Sequence, residues 1–335
     1  MRQFEGFLKG VNLGGWISQF DKYSEEHFNT FIQEEDIKRI SEMGFDHVRV
    51  PVDYNVLETE EAEPIESGYQ RIKTCLEWCK KYGLKMILDV HEVYGYSFDP
   101  LKDIDREKFF YDEELQARFY RLWETIATRF GKESDTMAFE LLNEVVLKEV
   151  YKAWNEVARK AVEHIRPIAP DTYIVIGGVN YNNVTSVALL DAPYDDKIVY
   201  NFHCYDPIIF THQKAYWVEN MTPDFELAYP VSLEELREKS KGFAKECTAA
   251  IYNERLTSTG PKFFEEIFSE AIEVAEKYNV PLYCGEYGVI ELAPKEDTKR
   301  WLADIHSVFD KYGIGRAVWN YKGKDFGIID SDYGF

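Results

Sequence analysis

Positive charge is scarce in this sequence: 39 Lys and Arg stand against 60 Asp and Glu, a net charge of −21. A surface that acidic repels the phosphates of nucleic acid and of anionic membranes, so neither is expected as a partner. Long apolar runs are missing too. Nothing approaches the roughly 18 consecutive apolar residues that a membrane span requires. The opening MRQFEGFLKG lacks the apolar segment of roughly 7–15 residues that marks a signal peptide. The expectation is a cytoplasmic protein as written, or a secreted one whose leader lies outside the sequence. Cysteine is sparse: Cys75, Cys79, Cys204, Cys247 and Cys284 form no CxxC pair. They are expected to be reduced thiols that pack as small apolar residues. No HExxH or His-x-His suggests a metal, and no GxGxxG follows the first strand-like run. No metal or cofactor is therefore expected.

What remains is a chain of 335 residues, 45% hydrophobic, 30% charged and 16% aromatic, long enough for a large core. Strand-like runs fall at 10–15, 47–52, 85–91, 137–144, 173–178, 198–205, 281–286 and 315–321. Each is apolar through most of its length, as in a parallel sheet covered on both faces. Amphipathic helices are predicted at about 34–43, 68–82, 112–130, 149–166, 263–278 and 295–312, with at most a short helix at 185–191. Eight such units point to an α/β fold, a single-domain (β/α)₈ TIM barrel spanning 1–335; an open doubly wound sheet is the alternative. Residues 206–262 read as a subdomain inserted between strand six and its helix, with SLEELREKSKGFAKECTAAIYN helical. The sequence as given stops at SDYGF, so the final barrel helix is expected to be absent, or the sequence to be truncated there.

Barrel active sites are built at the C-terminal ends of the strands. Those ends carry Arg49, His91, Asn143, Glu144, His203, Tyr205, Glu286 and Trp319. Two glutamates, at strands four and seven, suggest cleavage of a glycosidic bond. One carboxyl protonates the leaving oxygen and the other attacks the anomeric carbon, with retention when they lie about 5–5.5 Å apart. The bland reading of either glutamate alone is a structural ion pair with Arg49. His91 and His203 are read as hydrogen-bonding residues rather than metal ligands.

GVNLGGW, HVRVP, DVH, LLNE, NFHCY, CGEYG and AVWNY, taken in order from residue 10 to about residue 329, resemble glycoside hydrolase family 5, the retaining cellulase family. The resemblance is nearest to compact bacterial single-domain endo-β-glucanases. It implies Glu144 as general acid/base and Glu286 as nucleophile. It also implies Asn143 on the sugar 2-hydroxyl, Arg49 and Tyr205 orienting the nucleophile, His203 beside the acid/base, His91 on the bound sugar and Trp319 beneath it. Family members often read His-His-x-x-Gly at strand three, where this chain reads His91-Glu92-Val93-Tyr94-Gly95.

The implied activity is retaining hydrolysis of β-1,4-glucan or mixed-linkage β-1,3-1,4-glucan, by a monomer. On the same site, β-mannanase and exo-β-1,3-glucanase are the alternatives. Outside this chemistry stand a non-catalytic carbohydrate-binding protein, which would have lost a carboxylate, and a metal- or phosphate-dependent barrel enzyme, which would need a ligand cluster or phosphate loop. Trp16, Tyr94, Tyr96, Phe98, Tyr181, Trp217 and Tyr287 are each as readily packing residues as sugar contacts.

Overall fold

The computed structural model describes residues 1–323, 325–329 and 331–334. Eight parallel strands close a barrel in sequence order: β1 (Gly10–Asn12), β2 (His47–Asp53), β3 (Lys85–Glu92), β4 (Met137–Glu140), β5 (Ile174–Gly177), β6 (Ile198–Cys204), β7 (Leu282–Tyr287) and β8 (Gly315–Val318). The seam is the pairing of Gly10 with Ala317 and of Val11 with Val318. The closed barrel excludes the open doubly wound alternative. Helices Glu34–Glu42, Glu66–Lys81, Glu113–Phe130, Tyr151–Ile165, Pro261–Tyr278 and Lys295–Tyr312 surround it. Local signals set their ends. The Asp112 carboxylate accepts from the amides of Glu114 and Leu115, and two glutamates occupy the first turn of the helix that follows. None of the described helices is long and apolar enough to cross a membrane.

Strand alternation assigns the faces. Val48, Val50, Leu88, Val90, Phe139 and Phe202 lie in the apolar layer beneath the helices. Ile87, Ala138, Val175, Val199, Tyr283 and Ala317 form a separate apolar cluster inside the barrel, together with Phe4 and Phe7. The Phe4 and Phe7 rings stack with centroids 4.2 Å apart, and Phe4 meets Tyr283 edge-on at 5.8 Å. Two residues further along the same strands the interior changes character, to Asp89, Glu140 and Asn201. The barrel is therefore plugged by hydrocarbon at one end and lined with charge towards the other. Phe4→Ala would open a cavity in the plug and is expected to cost about 3–5 kcal/mol in urea denaturation. A loss under about 1 kcal/mol would mean that Phe4 does not seal the barrel.

Three strands are shorter than their apolar runs suggest. β4 ends at Glu140, β8 at Val318 and β1 at Asn12, although bonding to the neighbouring strands continues past the first two. The Asn143 amide still donates to Val90 O at 3.1 Å, and that of Trp319 to Tyr287 O at 2.8 Å. Asn143, Glu144 and Trp319 thus stand on the rim, just past the ladder. Between β5 and β6 the connection is a 3₁₀ run, Val184–Leu189, rather than an α-helix. Within 206–262 the helical stretch is broken. Leu233–Lys239 ends before Gly242 (φ 95°), and Lys245–Thr248 and the 3₁₀ turn Ala249–Tyr252 follow. No helix follows β8 among the described residues.

Candidate active site

Arg49, fully buried on β2, organises the barrel interior. Its Nε and Nη2 donate to the two Glu140 oxygens at 2.7 and 2.8 Å, a bidentate clamp. Nη1 donates to Glu286 Oε1 at 2.8 Å and to Asn12 Oδ1 at 3.0 Å, while Nη2 also reaches Asn143 Oδ1 at 2.9 Å. Asp89 Oδ2 lies 3.0 Å from Nη2. A guanidinium can be kept this dry only where anions surround it. Here the anions outnumber it. Burial pushes the Asp89 and Glu140 carboxyls up to about 7, with Arg49 opposing the rise. The ion pair anticipated for a rim glutamate is made by Glu286, Arg49 is shared with Glu140, and the partner of Glu144 is His203 instead.

Glu286 faces the barrel axis because β7 is irregular. Tyr283 and Gly285 share the inner face, so strict alternation would turn Glu286 outward. The register with β6 slips by one, Phe202 opposing Cys284 and His203 opposing Glu286. That bulge re-aims the side chain. Its backbone groups are taken up by amides from neighbouring strands. Asn12 Nδ2 donates to Gly285 O at 2.9 Å, and the Gly285 amide donates to Asn201 Oδ1 at 2.8 Å. Glu286 Oε2 then accepts the Tyr205 hydroxyl at 2.9 Å, while Oε1 holds Arg49.

Glu144 sits opposite. Its Oε1 lies 2.8 Å from His203 Nδ1, and one atom each of Glu144, His203 and Glu286 fall within 4.8 Å of one another. The two glutamate side chains are 13% and 8% exposed, so both open to the cleft. Their surroundings differ. Burial and the neighbouring Glu286 charge hold the Glu144 carboxyl well above the ordinary carboxylate range. Burial also raises Glu286, but Arg49 and the Tyr205 hydroxyl pull it back. Glu144 is the group that keeps a proton, and Glu286 the one that ionises first. The trio would also suit a divalent cation as a donor set. The charge and donors such an ion would bring to Glu286 are already supplied by Arg49 and Tyr205.

The floor of the cleft is aromatic. Trp319 stacks on His91 with rings 8° apart and centroids 5.9 Å apart, and Phe98 meets His91 edge-on at 4.9 Å. His91 Nδ1 lies 2.6 Å from Asp89 Oδ2, whereas Nε2 has no partner. Burial lowers the His91 pKa to about 4, so the ring is neutral. Trp319 lies flat because position 14 is glycine: a Cβ there would come 2.6 Å from its Cζ2. The Trp319–Asn320 peptide is cis. Glu92, in place of the second histidine, is buried and bound to Ser97 Oγ and to the Lys102 ammonium.

All eight residues read from the strand ends join one network of contacts. Sequence reasoning passed over Asn12, Asp89, Glu140, Asn201 and Asn182 as site residues. The signal was there for four of them, a polar residue inside an otherwise apolar strand-like run, which in a buried strand must find a partner. Of the aromatics left open, Trp16, Tyr96 and Tyr287 are buried. Tyr96 supports the site from behind: its hydroxyl donates to Glu144 O at 2.6 Å and accepts from the Val146 amide at 2.9 Å. Tyr94 is covered by the Arg118 guanidinium at 3.8 Å. Cys204 and Cys284 are buried, the latter's thiol donating to Glu286 O at 3.2 Å.

The model of the family described as Cellulase (glycosyl hydrolase family 5) matches residues 9–325. Cellodextrinase A of Ruminococcus flavefaciens is 43% identical over 316 residues, covering 94% of this chain and 86% of that protein. Endoglucanase C of Acetivibrio thermocellus is 43% identical over 333 residues, covering 97% and 94%. Among solved structures, a hyperthermophilic endo-β-1,4-glucanase in complex with substrate superposes with a TM-score of 0.77 at 24% identity, covering 98% of this chain and 94% of that one. At that identity the likeness speaks to the fold alone.

Proposed function

The chain belongs to the cellulase family, glycosyl hydrolase family 5, and is a glycoside hydrolase; from that premise we propose a double displacement on β-1,4-linked or mixed-linkage glucan, with Glu144 as acid/base and Glu286 as nucleophile. One observation carries the assignment of roles. Two carboxyls approach within 4.8 Å, one clamped by a guanidinium and a phenol, the other beside only a neutral imidazole. That spacing suits direct attack on carbon and leaves too little room for an intervening water.

In the first step a Glu286 oxygen bonds to C1 as the glycosidic bond breaks, and Glu144 gives its proton to the departing oxygen. In the second, Glu144 takes a proton from water, whose oxygen attacks C1 and releases Glu286. Asn143, held by Arg49, is placed for the sugar 2-hydroxyl. His91 Nε2 faces without a partner and is read as a contact to another hydroxyl, with Trp319 under the ring. The curated relatives named above act, by their names, on cellodextrins and on glucan chains, which supports a β-glucan substrate for this chain; short oligosaccharides and polymer are separate outcomes. The test is proton NMR of the first-formed sugar from cellotetraose, with parallel rates on barley mixed-linkage glucan, soluble cellulose, laminarin and mannan. The expected initial product is the β-anomer. An α-anomer would overturn the double displacement, and faster release from mannan or laminarin would move the substrate to one of the alternatives.

A further inference from the structure

A left-handed run of backbone lies beside Glu144. Asn180, Tyr181 and Asn182 follow β5 with φ of 54°, 57° and 54°. That region costs roughly 1–2 kcal/mol for each L-residue, so three in succession have to be held in place. They are. The Tyr181 amide donates to Val145 O at 3.1 Å, the Asn183 amide to Asn180 O at 3.1 Å, and the His203 amide to Asn182 O at 2.8 Å.

The run buries Asn182 completely and delivers its side chain to the back of His203. It lies against Gly177, where a Cβ would come 2.0 Å from Asn182 Oδ1. Asn182 Nδ2 donates to Asn143 O at 3.2 Å and stands 3.4 Å from His203 Nε2. Oδ1 is buried without a partner in this orientation, but turning the amide over would set that oxygen against the Asn143 carbonyl and remove the bond from Nδ2, so the orientation shown is the favoured one. An amide nitrogen offers only protons. His203 Nε2 must then present its lone pair, and the ring proton belongs on Nδ1, 2.8 Å from Glu144 Oε1. Burial, reinforced by the Arg49 charge, holds His203 well below its ordinary pKa, so the ring carries one proton, not two.

We propose that Asn182 is a positioning residue that fixes the His203 tautomer, so that Nδ1–H donates to Glu144 Oε1 and the acid proton of Glu144 is carried on Oε2. In the opposite tautomer Nδ1 would accept, and Glu144 would spend its own proton on the imidazole rather than on the leaving group. The inference rests on Glu144 acting as the acid; the tautomer itself does not.

Two readouts separate them. In ¹⁵N NMR of the full-length protein, assigned by loss of the signal in His203→Ala, His203 Nε2 is expected at the position of an unprotonated ring nitrogen. Asn182→Asp places an acceptor there and is expected to protonate Nε2. Whether Nδ1 then loses its proton or the ring becomes cationic, Glu144 has less of a proton to deliver: in the first case Nδ1 captures it, in the second the carboxyl is already ionised. On cellotetraose kcat/KM should fall about 100-fold. On a 2,4-dinitrophenyl β-cellobioside, whose leaving group needs no proton, it should change by less than about 3-fold. Asn182→Gly, which accepts the left-handed backbone, should give a smaller loss with the same selectivity. A protonated Nε2 in the wild type, or equal losses on both substrates, would overturn the proposal. If Glu144→Gln fails to spare the dinitrophenyl substrate, the acid assignment falls and the tautomer result stands by itself.

Discussion

Glu286→Gln is expected to lower kcat/KM on cellotetraose by about 10⁴-fold or more, with folding intact. The amide has nearly the same shape and can still accept from Arg49 Nη1, which now donates to Glu286 Oε1 at 2.8 Å. The Tyr205 hydroxyl, 2.9 Å from Oε2, can rotate to accept instead of donating. What disappears is the anion that attacks C1. Losing a nucleophile removes the covalent route altogether, and what survives is transition-state binding without the chemistry. The replacement also relieves one acid from a cluster that has too many, so thermal unfolding should move little or upward. A fluorosugar glycoside with a good leaving group should label the peptide carrying Glu286 in the wild type and leave the variant unmodified. Residual activity above about 1%, or a label on another residue, would mean that a different group attacks.

The barrel and the rim were legible because both depend on patterns that survive in one dimension. Eight apolar runs separated by amphipathic helices admit few closed arrangements, and polar residues at the run ends had to lie at the barrel mouth. The two glutamates were readable for that reason. The interior beneath them was harder. Glu140 was absorbed into the apolar run MAFELL, although an acid there must be paired once the strand is buried. Glu286 was placed correctly by its position at a strand end, yet alternation alone would have turned it outward. The β7 bulge that rescues it, with Asn12 and Asn201 holding its backbone, is a three-strand arrangement with no local signature. Asn182 was invisible for a similar reason. NYN after a strand reads as an ordinary turn, and only the closed barrel brings residue 182 behind residue 203. Glu92, by contrast, was conspicuous as a departure from the family pattern, and the structure gives it partners of its own in Ser97 and Lys102.

Arg49→Met tests the idea that a single cation supports the whole interior. The expected loss of stability at pH 8 is about 3–5 kcal/mol by urea denaturation, because removing one partner leaves buried charges uncompensated. The pH dependence distinguishes this from a packing defect. Asp89 and Glu140 already titrate near 7 in the folded protein, above their ordinary values, because of burial. A carboxyl raised on folding contributes stability below its unfolded pKa, and that contribution is lost as pH rises through the folded value. Arg49 opposes the rise, so without it the folded values climb further, and stability keeps falling above about pH 7, where the wild type levels off. At pH 5 both carboxyls are largely protonated in the folded state, and the guanidinium in the wild type has fewer anions to face. The gap between wild type and variant should therefore shrink by half or more between pH 8 and pH 5. Catalysis offers no such recovery. Glu286 loses the contact that favours its ionised form, so kcat/KM should fall at least about 100-fold at every pH at which the variant is folded. An equal stability loss at both pH values would show that Arg49 serves by filling space, with Asp89 and Glu140 neutral throughout and Glu286 dependent on Tyr205 alone.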